Sequence, residues 1–216
     1  MAAVGGNPAH GGGAGDDAPP LAFRDAVEAL TTARLRPEVR IGAAPAPRRL
    51  APYVHALTAS VEVDGEELAD GRLVLLHEPA GHDSWQGDFR VVTLARAEME
   101  PEMATDPLLS EVGWTWLLDA LQSHAAGYTE AGGTVTRCAS QYFGALAERR
   151  SSTEIEVRAS WTPADGRFER HLAAWCDLLC TCAGLPPAGP AHGPLADPPS
   201  LGGVVPMPAR RRPRSR

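Results

Sequence analysis

The chain has 216 residues, is 44% apolar and carries a formal charge of −7, and all twenty of its basic residues are arginine. This is enough apolar material for one core, so a single domain is expected, while the absence of lysine excludes Schiff-base and lysine general-base chemistry. Residues 21–187 hold 15 Arg against 24 Asp plus Glu, and such an acidic body repels a phosphate backbone and argues against nucleic acid as a partner.

Residues 1–20 are Gly- and Ala-rich and residues 188–216 are Pro-rich, ending in RRRPRSR. Both are too poor in large apolar groups to offset ordering entropy and are expected to be disordered. The arginine run reads as a solvating tail. No cationic start, signal-peptide core or bilayer-length apolar run is found; the expectation is a cytoplasmic protein with reduced thiols and no membrane.

Between the tails, Phe23, Val27 and Leu30 at helical spacing predict a helix over 21–35, and the prolines at 37, 45, 47 and 52 predict a connector. Alternation of Leu57, Ala59, Val61 and Val63 with polar residues predicts a strand over 54–63, followed by a solvated turn at 64–71. Residues 72–77 (RLVLLH) are apolar on both phases and read as a central strand, and 87–97 as a third.

Asp106 as N-cap and Pro107 at the first position open a long helix expected to run to Ala131 and stop at Gly132-Gly133. Strands are predicted at 133–142 and 152–161, and a final helix at 165–184 carries Phe168, Leu172, Trp175 and Leu179 on one stripe. The resulting order, α-βββ-α-ββ-α, predicts a single α+β domain with a five-stranded antiparallel sheet packed with helices.

No catalytic set assembles along this chain. On the last helix Cys176, Cys180 and Cys182 spread over about 160°, too wide to converge on a tetrahedral metal. They read as small buried hydrophobes, and so does Cys138 on its strand. His77 and His82 are five apart across Pro79 and Gly81 rather than four apart on a helix, so the zincin pattern fails; a loop site with Asp83 stays open beside an exposed hairpin loop. No G-x-S-x-G elbow and no phosphate-binding glycine loop is present, and neither a metal nor a cofactor is expected.

The long helix has an apolar arc about 200° wide, more than one sheet contact covers. Either other helices cover the remainder, or Trp114, Leu118, Leu121 and Tyr128 face a partner, since tryptophan is favoured both in cores and at interface hot spots. His124 lies on the apolar side without an obvious orienting acid, as a core histidine or as a general base.

Several long segments carry a resemblance: RPEVRIGAAPAPRRLAPYVHAL (36–57), DGEELADGRLVLLHEPAGHDSWQGDFRVVTLARAEMEPEMATDPLLSEVGWTWLLDAL (64–121), ASWTP (159–163) and CDLLCTCAGLPP (176–187). Together they resemble the actinobacterial domain-of-unknown-function family numbered three thousand. That resemblance implies a single-domain cytoplasmic protein and brings no activity, cofactor or catalytic residue with it. The expected element order is also similar to that of type III secretion chaperones, small acidic homodimers that bind polypeptides, an analogy at the level of fold alone. The expectation is therefore a non-enzymatic binding, adaptor or chaperone-like protein, a homodimer or bound to another polypeptide, acting through a helix face or sheet edge. The alternative is an enzyme with an unfamiliar site near His77, His82 and His124.

Overall fold

A computed structural model describes residues 18–186; both tails expected to be disordered lie almost wholly outside that range. Helix α1 (Leu21–Thr31) leads into strands β1 (Val39–Ala43), β2 (Tyr53–Val63), β3 (Glu66–His82) and β4 (Gly87–Glu98). A single-turn helix α2 (Pro101–Ala104) and helix α3 (Leu109–Ser123) follow, then β5 (Tyr128–Ser140), β6 (Ser152–Pro163) and helix α4 (Phe168–Cys182). The six strands form one antiparallel sheet in the order β1-β2-β3-β4-β6-β5. After β4 the chain crosses through α2 and α3 to the far edge, lays down β5 there, and returns with β6 between. Among the described residues no helix is long and apolar enough to cross a membrane.

The α+β class holds, with corrections in detail. The sheet has six strands, not five, because Val39–Ala43 pairs with Leu57–Val61 inside the segment whose prolines suggested a connector. Those prolines flank the strand, and an edge position tolerates such neighbours. The acidic stretch at 66–71 is strand too. Asp64 (φ 52°) and Gly65 (φ 84°) alone make the turn, a two-residue connection with both central residues left-handed, as the twist of a hairpin prefers.

The long helix is also shorter than its pattern. It begins at Leu109 without a side-chain cap; Asp106 instead accepts the Leu108 amide at 2.8 Å in the preceding turn. It ends at His124, where Ala125 enters the left-handed region at φ 48° and the Ala126 amide donates to the Leu121 carbonyl at 2.9 Å. That six-to-one bond closes a helix end normally served by glycine. Gly132 and Gly133 sit inside β5.

All three long helices cover one sheet face. Alternate residues of each strand point there, including Val61, Leu73, Leu75, Val91, Ile155, Val157 and Trp161, all buried. Helix α4 supplies Phe168, Leu172, Trp175 and Leu179, buried as their stripe predicts, and Leu178 beside them, each contributing about 1.5–3 kcal/mol by removal from water. Two tryptophans are admitted by glycines beneath them. A Cβ at Gly71 would lie 2.5 Å from the Leu94 carbonyl oxygen and 2.9 Å from the Trp175 ring, and one at Gly133 would lie 2.9 Å from Trp114. With Gly71 bare, the Trp175 indole N–H reaches the Leu94 carbonyl at 3.3 Å.

Candidate functional site

The three histidines of the alternative enzymatic reading stand apart. His77 is only 2% exposed, on the helix-covered face at the end of the core. It stacks between Phe23 and Phe89, with ring centroids 6.0 and 4.1 Å away, and its Nδ1 donates to the Asp88 carbonyl at 3.1 Å. It is a core residue with an assigned proton. His82, five residues or about 16 Å further along extended chain, is exposed at the hairpin end against Trp85, centroids 4.5 Å apart. Asp83 is exposed in the adjoining turn.

His124 does have an acid partner, supplied by a distant helix and hence invisible along α3. Its Nε2 lies 2.6 Å from Asp177 of α4, both side chains partly buried. The pair ties the C-terminus of α3 to α4, alongside an Arg170 bond to the Ala125 carbonyl at 3.1 Å. Among the described residues no three His, Cys, Asp or Glu side chains gather as metal ligands would.

Cys176, Cys180 and Cys182 are buried in the core as expected. Burial raises all three thiol pKa values, Cys180 to about 11 and Cys182 to about 12, so none is a ready thiolate at neutral pH. Cys138 departs from the expectation. It is exposed, because β5 is an edge strand and its residue lies on the face no helix covers.

The proposed partner face of the long helix divides. Leu121 is fully buried. Trp114, Leu118 and Tyr128 are half-buried, with Trp114 and Tyr128 packed against the core. Much of the wide apolar arc is thus consumed by two neighbours at once, the sheet below and α4 alongside. On this helix and its entry, Val112 and Leu108 remain exposed.

Among the described residues, two surfaces are open besides the short outer edge of β1. The first is the outer edge of β5. From Gly132 to Ser140 it pairs, among the described residues, on one side only, with β6. It contains no proline and one charge, Arg137, which turns inward to the carbonyls of Ala104 and Asp106 at 3.1 and 3.3 Å. A bulge at its start, with Glu130 at φ 50°, and the single Arg137 are the features of the kind that blunt edges among the described residues. Beyond its end, Phe143 is 77% exposed and Leu146 is also exposed.

The second surface is the uncovered sheet face. The connector between β1 and β2 and Trp85 cover one half of it, packing on Ala56, Val74 and Leu76. The other half dips into a hollow of about 390 Å³ lined by residues of β3, β4, β5 and β6. Cross-strand register builds it from two rows. One is Val74–Val92–Ser160–Gly132 and the other Arg72–Leu94–Arg158–Thr134. The first row is shallow because it ends on Ser160 and Gly132, and a Cβ at Gly132 would meet nothing within 4 Å.

No curated protein and no solved structure matches the chain significantly. The family described as "Protein of unknown function (DUF3000)" matches residues 19–191, which include the whole sheet, all its helices and both open surfaces. On that coverage the chain belongs to the DUF3000 family.

Proposed function

We propose that this is a non-enzymatic binding or adaptor protein that takes an extended polypeptide segment onto the outer edge of β5. The observation carrying the reading is that edge: nine residues, 132–140, without proline, carrying one charge and paired on one side only among the described residues. Stable proteins normally blunt such edges, because unpaired backbone N–H and C=O groups recruit a further strand. Here such devices are few, a bulge at one end and the single Arg137. Exposed Phe143 and Leu146 extend the same surface with apolar contacts past the end of the strand.

In this reading the protein works in the cytoplasm of a high-GC, actinobacterial source, in keeping with its four free thiols and its arginine-only basic residues. A second copy of the chain fits the same edge, because antiparallel edge pairing is compatible with two-fold symmetry.

The test uses the full chain and the variant Thr136→Lys/Ala139→Lys, which charges exposed edge positions. Native complexes are purified with each and identified by mass spectrometry, light scattering measures self-association, and hydrogen exchange follows the β5 amides. The expected result is protection of residues 132–140 in a wild-type complex and loss of that complex in the variant. A complex that survives the double substitution with the same exchange pattern, or monomeric protein with no partner, would defeat the reading.

A further inference from the structure

The hollow on the open face has a chemistry of its own, independent of the β5 edge. Its only ionisable lining groups are two arginines, Arg72 and Arg158, in a domain that is otherwise strongly acidic. They flank Leu94 in one cross-strand row, so their Cα atoms are two strand spacings, about 9.6 Å, apart. Two guanidinium side chains can close over an anion across that gap.

Arg158 is engaged with Glu156 at 2.8 Å. Arg72 donates to the Pro45 carbonyl and has no carboxylate partner among the described residues. One row further on, half-buried Arg90 is likewise without an ion pair there; its guanidinium donates to Thr162 and Ser160 hydroxyls at 3.0 and 2.8 Å. Burial lowers its pKa, with Glu130 acting in the opposite direction. The next row on this face, Asp70–Arg96–Glu156, holds two carboxylates, each already paired with an arginine. The cations without a carboxylate partner, Arg72 and Arg90, therefore stand beside an apolar floor of Val74, Val92 and Leu94. At about 390 Å³ the hollow falls within the range of small-molecule sites, about 300–1,000 Å³, which pair an apolar lining with a few placed polar groups.

We propose that this hollow binds a small apolar monoanion, an aliphatic or aromatic carboxylate. The hydrocarbon part rests on Val74, Val92 and Leu94, and the carboxylate meets Arg72 and Arg158. Planar guanidinium suits a carboxylate through paired N–H donors. The hydroxyls of Ser160 and Thr134 complete the polar side.

The experiment is calorimetric titration of the full chain with three probes: 1-naphthoate, its neutral analogue 1-naphthamide, and acetate. Backbone amide NMR of the wild type locates the site. Naphthoate should bind at least tenfold more tightly than either of the others and shift the amides of Gly132, Thr134 and Ser160. Arg72→Gln should weaken it about tenfold. Gly132→Leu, placed where added carbon meets no neighbour, should abolish binding by filling the hollow. Ala139→Lys, on the opposite phase of β5 from the hollow, should leave it unchanged, which separates this site from the edge. Equal binding of naphthoate and naphthamide, shifts located elsewhere, or no binding at millimolar naphthoate would overturn the proposal. The NMR and neutral-probe results decide it on the wild type even if a variant fails to fold.

Discussion

Acid should unfold this domain through one histidine. His171 lies in α4 with 0% exposure, and its Nδ1 accepts the Trp161 indole N–H at 3.0 Å. That bond requires a neutral ring with the proton on Nε2, an atom that is buried without a partner. Burial lowers the pKa to about 4 from 6.5, with Asp165 pulling weakly the other way. In the unfolded chain the same ring takes its proton near 6.5. The unfolded state therefore binds more protons between pH 6.5 and 4, and the stabilisation present above 6.5 is lost as pH falls through that window. A shift of this size corresponds to roughly 3 kcal/mol at about 1.4 kcal/mol per pH unit, a large share of a small domain's stability.

The assay is urea unfolding followed by tryptophan fluorescence from pH 7.5 to 4, on wild type and His171→Phe. The variant leaves the Trp161 N–H without an acceptor, so at pH 7 it should be less stable by about 1–3 kcal/mol. As pH falls the wild type should lose that advantage and the two should converge or cross. Carboxylates titrating in the same range cancel in the difference. A wild-type minus variant difference that stays constant from pH 7 to 4 would refute the reasoning.

Two further outcomes follow from packing. Gly71→Ala places a Cβ 2.5 Å from the backbone oxygen of Leu94 and against Trp175 and Leu179; a carbonyl in a central ladder cannot yield. Urea unfolding should show a loss of about 3 kcal/mol or more, and a change below about 0.5 kcal/mol would contradict the packing described. Thiol titration with a chromogenic disulfide should count one reactive cysteine, Cys138, in the native protein and four after denaturation, since burial holds the other three as thiols. Rapid native reaction of more than one would mean that the end of α4 opens.

The α+β class was legible because period-2 and period-3.6 patterns are local. β2, β6 and the stripe of α4 follow from them directly. Three misreadings had different physical causes. Asp64-Gly65 is a strong hairpin signal, but the acidic residues after it disguised a strand that is apolar only further on. The stretch from Tyr128 to Gly133 continued a helical pattern until tertiary pairing with β6 claimed it. The segment Val39–Ala43 is too short to declare itself between prolines. His124 found its acid only because α4 lies against α3, a contact between residues 53 apart.

By itself the sequence determined the α+β class of a single domain and the burial of Cys176, Cys180 and Cys182, but its reading of Cys138 as buried failed, because a strand pattern does not say which strand is an edge. The tertiary structure decided what is left uncovered. A strand pattern marks two faces and cannot say which one the helices will occupy, and a wide apolar arc cannot say how many neighbours will share it. The arc of α3 is used largely by the sheet and α4. The open face, with its hollow assembled from four strands and rimmed by Arg72 and Arg158, exists only once register brings those rows together. The β5 edge is likewise a property of strand order, set when the crossover through α3 places a later strand outside the one that follows it.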